Sequence, residues 1–284
     1  MSIAAQGTLT KIMVAVGGSE SSFSALNYAI DFAQAGPRCV KALIVQEALI
    51  PPELALASGH TLGLLADKLA HAAERIADQT ERRVREVCAR RQTSVEVERQ
   101  TGHVSECVVA AAAQASLLVL GRQGHRVDRL GLLGSNTESI VRRAHKPLLI
   151  APGQHRRVRC TLVAYGGKDL GESALATGRE IAEALCVPLD VLTVAATTPA
   201  GAAIQERARL SLAATTSAPT FSVKSGDPAA AIIACCTGDT LVVMGAYGHS
   251  RLYHMVLGSV TEQVVRFAQG PVLLSAKPVT PTGQ

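Results

Sequence analysis

Two stretches, GRQGHRVDRLGLLGS at 121–135 and GAYGHSRLYHMVLGS at 245–259, share one glycine pattern, Gly-x2-Gly-x9-Gly-Ser. Each follows an apolar run, Leu117–Leu120 in one case and Leu241–Met244 in the other. Runs of that kind are expected of central strands covered on both faces. The flanks repeat as well. KIMVAVGGSESSFSAL at 11–26 matches CTLVAYGGKDLGESAL at 160–175, and KPLLIAP at 146–152 matches GPVLLSA at 270–276. Three blocks in one order, twice, mark an internal duplication. Duplication alone yields two copies, but it does not keep the glycines while the residues between them diverge.

Working outward, 28 residues separate Gly17 from Val45, and also Gly166 from Val194. The next interval differs: 76 residues from Val45 to Gly121, but 51 from Val194 to Gly245. The first copy's extra residues fall in 62–91, where Leu62, Leu65, Leu69, Ala73, Ile76, Val84 and Val87 recur at helical spacing. A short version is expected near 201–214. Strands are predicted near 11–16, 40–46, 94–99, 117–121 and 147–151, then near 160–165, 189–194, 220–224, 240–245 and 271–275. Helical patterns lie between them. This alternation predicts an α/β fold of two repeated, open, Rossmann-like parallel-sheet domains with five strands each. The expected domains are 1–153 and 157–279, with a tail at 280–284. Pro152–Arg157 reads as a short, turn-forming linker.

The composition narrows the function classes. The chain has 284 residues, 48% of them apolar, with no Trp, and a net charge of +5 spread along its length. The densest basic stretch, Arg82 to Arg91, is interrupted by Glu86 and preceded by Glu81, as on a solvated helix face, so nucleic acid is not an expected partner. No apolar run reaches about 18 residues, and MSIAAQGTLTK lacks a signal-peptide pattern, so a cytoplasmic protein without a membrane partner is expected. The seven cysteines read as inert, buried, reduced thiols. His249 and His254 have no acidic or Cys partner at ligand spacing, so no metal site is expected.

In a parallel sheet, ligands bind outside the carboxyl ends of the strands. Gly121 and Gly245 fall at such ends, and Gly134-Ser135 and Gly258-Ser259 open helices. Glycine lets backbone approach a ligand, and the N–H groups at a helix start attract phosphate. The pattern therefore fits a phosphate chain running from strand end to helix start. A structural explanation competes with it. Ser135-Asn136-Thr137-Glu138 and Ser259-Val260-Thr261-Glu262 read as capping boxes with serine at the cap, and Ser19 reads as an N-cap. Arg122, Arg126, Arg129 and Arg251 are either phosphate partners or simply solvated.

These blocks resemble the universal stress protein family in its tandem form. Gly121, Gly124, Gly134-Ser135 and Lys146–Ile150 are similar to that family's ATP-binding signature and closing strand. Gly245, Gly248, Gly258-Ser259 and Gly270–Leu274 repeat it. The resemblance implies binding of ATP, or of AMP or ADP, with or without Mg2+. The residues it implies for the two sites are Gly17, Ser19, Val45, Gly121, Gly124, Gly134, Ser135 and Asn136, then Gly166, Val194, Gly245, Gly248, Gly258, Ser259 and Val260. Val45 and Val194 would meet the adenine through backbone. The closing strands would pair the halves as an intramolecular pseudo-dimer; homodimerisation and an unidentified protein partner stay open.

The family's usual Asp after the first strand is Gly17 here, and Gly166 in the second copy. Its following Ser is Ser19, but Lys168 in the second copy. No catalytic residues stand out: there is no Walker lysine and no Ser/His/Asp order. The expected function is a nucleotide-binding stress or regulatory protein with no ATPase activity or a very slow one. The alternatives are an interaction module with vestigial sites and an adenylating enzyme of the related ATP-pyrophosphatase type, whose Ser-Gly-Gly loop Val16–Ser22 and Tyr165–Asp169 loosely resemble.

Overall fold

The structure is a computed structural model that describes residues 9–47, 59–124, 133–144, 146–213, 215, 218–246 and 257–276, with only the backbone for 59–65. The strands are β1 (Lys11–Ala15), β2 (Cys39–Gln46), β3 (Glu96–Thr101), β4 (Leu117–Gly121) and β5 (Leu148–Ala151), followed by β6 (Cys160–Ala164), β7 (Leu189–Val194), β8 (Thr220–Lys224), β9 (Thr240–Gly245) and β10 (Val272–Ser275). The helices are α1 (Glu20–Gln34), α2 (Gly59–Arg90), α3 (Val104–Ala112) and α4 (Ser135–Arg143) in the first half, and α5 (Asp169–Leu185), α6 (Thr198–Ser211), α7 (Pro228–Ala234) and α8 (Ser259–Phe267) in the second.

All ten strands form one sheet, ordered β3-β2-β1-β4-β5-β10-β9-β6-β7-β8. Each half repeats the same five-strand parallel order. The halves meet where β5 and β10 pair antiparallel, Leu149 facing Leu273. The predicted pairing through the closing strands is therefore what joins them.

Strand alternation divides the core between two faces. On one face Ile12, Val14, Val119, Leu149, Val243 and Leu273 pack beneath α1, α2, α5 and α6. On the other, Met13, Leu118, Leu148, Val242 and Leu274 pack beneath α3, α4, α7 and α8. Both cores run through both halves, so the duplicate is one folded body.

Two expectations change here. In α2 the buried stripe is Ala77, Thr80, Val84 and Val87, whereas Ile76 is 55% exposed. Ile76 lies one position, about 100° around the helix, from Ala77, and that offset turns it to solvent. The thiols are not uniformly buried either: Cys39 and Cys186 are exposed, and only Cys236 is buried. Burial pushes Cys236 up to about 12. Cys160 also rises to about 12, through burial and then its contact with the Asp190 carboxylate. Cys39 stands at the amino end of β2 and Cys186 is a left-handed helix cap, both at the ends of elements where side chains reach solvent.

The linker is anchored to the first half. His155 Nε2 lies 2.7 Å from an Asp31 carboxylate oxygen, and the Arg156 amide donates to the Tyr28 hydroxyl at 3.2 Å. Burial alone would raise the Asp31 carboxyl, but hydrogen bonds from His155 and Arg91 outweigh it and hold the group below its ordinary value. A depressed carboxylate contributes stability above its unfolded pKa and loses it as pH falls through the folded value. Asp31→Asn is therefore expected to destabilise the chain more at pH 7 than near pH 3. Urea midpoints at the two pH values check this; an equal loss at both would count against it.

Candidate functional site

The site is built at the carboxyl edge where β1 and β4 lie side by side. From there α1 leaves towards one face of the sheet and α4 serves the other, which makes the crevice a topological switch point. Ala15 pairs with Leu43, so Gly17 and Val45 both lie two positions further along the same edge. In the second half Ala164 pairs with Leu192, which sets Gly166 and Val194 in the same relation. Val45 and Val194 pack their half-buried side chains on the α3/α4 and α7/α8 core, leaving backbone at the edge.

Backbone bonds fold the first glycine loop. The Arg122 amide donates to the Ala151 carbonyl at 2.8 Å, and the Gly134 amide to the Arg122 carbonyl at 3.0 Å. A Cβ on Gly134 would come within 3.0 Å of the Gly124 amide nitrogen. The loop's two ends are therefore held together, with Gly121, Gly124, Gly134 and Ser135 in one cluster. The Thr137 hydroxyl donates to the Gly121 carbonyl at 2.9 Å and ties α4 to the strand end. In the second half the Ala246 amide donates to the Ser275 carbonyl at 3.0 Å, as Arg122 does to Ala151. Gly248, Arg126, Arg129, Arg251, His249 and His254 lie outside the described residues.

The glycines divide into two kinds. A Cβ on Gly121 would meet the Ser21 backbone at 2.6 Å, and one on Gly245 the Leu170 carbonyl oxygen at 2.5 Å. These two let the first turn of α1 or α5 lie on the strand end. Among the described residues, a Cβ at Gly17, Gly124, Gly166 or Gly258 would meet nothing within 4 Å. Open space therefore faces the backbone in both halves, and a phosphate chain needs such a cradle.

The capping-box reading is corrected. The N-caps are Gly134 and Gly258, with no side-chain capping bond, and Ser135 and Ser259 are the first helical residues. The Gly134 and Gly258 carbonyls accept the Glu138 and Glu262 amides and so start each helix one residue earlier than the serine pattern suggests. Ser135, Asn136 and Ser259 are exposed beside those helix starts, while Val260 packs on the core. Capping thus does not account for the serines.

Ser19 does cap α1, its hydroxyl accepting from the Ser22 amide at 3.3 Å. The same hydroxyl donates to the Gln123 carbonyl at 3.2 Å, and the Ser21 hydroxyl bonds to that carbonyl too. This bridge between the β1–α1 turn and the glycine loop was not read from the sequence, although the Ser-Glu-Ser-Ser cluster was its signal. In the second half Lys168 and Leu170 occupy these places. There α6 covers the turn instead, the Arg207 guanidinium donating to the Gly167 carbonyl at 3.1 Å.

Arg122 is neither solvated nor a phosphate partner. Its guanidinium donates to the Ala268 carbonyl at 2.7 Å, to Gly270 at 3.1 Å and to Arg266 at 3.4 Å, all in the other half. Those carbonyls close α8, and a helix end attracts a cation. Among the described residues no helix is long and apolar enough to cross a membrane, and no cluster of potential metal ligands occurs.

The chain is 30% identical over 185 residues to a universal stress protein of Synechocystis sp., covering 63% of this chain and 64% of the relative. It is 31% identical over 192 residues to one of Mycobacterium tuberculosis, covering 59% and 64% respectively. The match thus spans slightly less than two thirds of these relatives' own length. Among solved structures, a universal stress protein from Archaeoglobus fulgidus superimposes with a TM-score of 0.71 over 96% of this chain and all of that one, at 19% identity. At that identity the likeness speaks for the fold. The model of the universal stress protein family matches twice, at 8–152 and 159–275, and the chain therefore belongs to the universal stress protein family.

Proposed function

We propose that this chain binds ATP or a related adenine nucleotide at its glycine loops and acts as a regulatory stress protein, hydrolysing the nucleotide slowly or not at all. In this reading 1–153 and 157–279 are the two units. Gly17, Val45, Gly121, Gly124, Gly134, Ser135 and Asn136 frame one site, and Gly166, Val194, Gly245, Gly248, Gly258, Ser259 and Val260 the other. Ser19 positions the first loop. The observation that carries the reading is the open space above Gly17 and Gly124, beside the helix start at Gly134-Ser135, matched in the second half at Gly166 and Gly258. Backbone N–H groups and the dipole at those starts favour phosphate oxygens. Any Mg2+ would arrive with the nucleotide.

The test is mass spectrometry of ligand released from the purified chain, together with calorimetry using ATP and Mg2+ up to millimolar levels. Silence in both refutes nucleotide binding. A sharper prediction concerns the missing carboxylate. Both Gly17 and Gly166 have room for a side chain and neither has a positive φ, so Gly17→Asp and Gly166→Asp are expected to fold normally. A carboxylate accepting two hydrogen bonds from the nucleoside would raise adenosine nucleotide affinity about tenfold. Calorimetry of the two variants checks this, and unchanged affinity in both would count against adenine placement beside the first strand.

A second reading, an interaction module with vestigial sites, is favoured by one observation. The Ser19 and Ser21 hydroxyls are committed to the Gln123 carbonyl and leave the first loop without them as phosphate donors. The same calorimetry separates the two readings.

A further inference from the structure

Arg122 belongs to the first glycine loop by its backbone and to the second half by its side chain. Its amide is held by Ala151 at the end of β5, and its carbonyl by Gly134 at the far end of the first loop. Its guanidinium crosses the joint to three carbonyls at the carboxyl end of α8, from Arg266, Ala268 and Gly270. The amino end of α8 is Gly258-Ser259, the helix start of the second glycine loop. One nine-residue helix therefore separates the second loop from the grip on Arg122.

That helix end is closely packed. A Cβ on Gly270 would lie 2.1 Å from the Thr240 carbonyl oxygen, so the turn after α8 is pressed against the start of β9. Arg122 is not free to swing out either. Burial lowers its guanidinium to about 10, and its Nε is buried with no partner among the described residues. A buried cation held only by backbone carbonyls depends on their position, because losing them leaves the charge unpaired. The device is also one-sided. The residue matching Arg122 in the second copy is Ala246, which has no side chain to send back.

We infer that Arg122 is a positioning residue that couples the two glycine loops, so that a nucleotide at the second loop, by drawing on α8, resets the first. This rests on the nucleotide reading of those loops. Although one arginine makes the link among the described residues, the coupling is reciprocal in binding free energy, as any linkage must be.

The full chain, labelled with 15N at glycine, tests it. Gly124→Val is chosen to block the first loop, since a Cβ there meets nothing within 4 Å among the described residues. In that variant Mg-ATP is expected to move the Gly258 amide signal, and the distant Gly134 signal is expected to follow with the same midpoint. Adding Arg122→Ala should leave the Gly258 titration intact and silence Gly134. A merely structural arginine would not separate the two signals. The coupling is overturned if Gly134 stays still while Gly258 titrates in Gly124→Val, or if Gly134 still moves after Arg122→Ala. If no glycine responds to Mg-ATP in any variant, nucleotide binding itself fails, and a ligand-free comparison decides the link. Arg122→Ala is then expected to speed hydrogen exchange at Gly134 about tenfold, with Gly258 unchanged. Equal Gly134 rates in the two chains would overturn the link.

Discussion

Gly121→Ala and Gly245→Ala are expected to destabilise the chain by about 3 kcal/mol each, whereas Gly124→Ala and Gly258→Ala leave its stability nearly unchanged. All four glycines belong to one repeated pattern, so a sequence reading treats them alike. Packing separates them. At Gly121 and Gly245 a new methyl group would run into backbone atoms of Ser21 and Leu170, at 2.6 and 2.5 Å. Backbone in the first turn of α1 or α5 cannot turn aside as a long side chain can. The helix must lift from the strand, and the core beneath it, including Leu26 or Leu175, loosens. At Gly124 and Gly258 the methyl group enters open space. There the larger Gly124→Val and Gly258→Val are expected to cut nucleotide affinity about tenfold or more with the fold intact, by filling the space a phosphate would take. Urea midpoints and calorimetry measured on the same four positions check the split. Loss of stability at Gly258, or none at Gly245, would show that the pattern is one uniform turn.

The same contrast shows what the sequence carried. The strands were legible because central parallel strands are apolar on both faces, and Leu117–Leu120 and Leu241–Met244 are buried throughout. The order of the halves followed from the repeat, and their pairing through the closing strands from the family resemblance. Features set by tertiary contact were not legible. Helical spacing marks a stripe but does not fix its angle to better than one residue, so Ile76 joins the apolar pattern while Ala77 is the residue that is buried. The Ser-x-x-Glu pattern suggested a cap, but the helix takes up the preceding glycine and leaves the serine exposed. From the sequence, Arg122 beside Gly121 reads as either a phosphate partner or a solvated side chain. Its partners lie more than 140 residues away in the chain, and no local pattern encodes them.

Leu149→Ala and Leu273→Ala are expected to be the most costly single truncations at the joint, at about 3 to 4 kcal/mol each and close to one another. Both side chains are fully buried, and they face each other across the antiparallel ladder where the two halves meet. Each removal leaves a cavity in the core shared by α1 and α5, with little room to collapse between neighbours such as Val119 and Val243. Because the two positions line one space, the double variant should lose less than the sum of the singles. The consequence should also reach the candidate site. β5 leads from Leu149 to Ala151, whose carbonyl holds the Arg122 amide, and β10 leads from Leu273 to Ser275, whose carbonyl holds the Ala246 amide. A joint that shifts therefore disturbs both glycine loops together. Urea unfolding of the three variants measures the stability terms, and nucleotide titration of the singles measures the transmitted effect. Near-neutral Leu273→Ala beside a severe Leu149→Ala would show that the joint is unequal, with the first half bearing the contact alone.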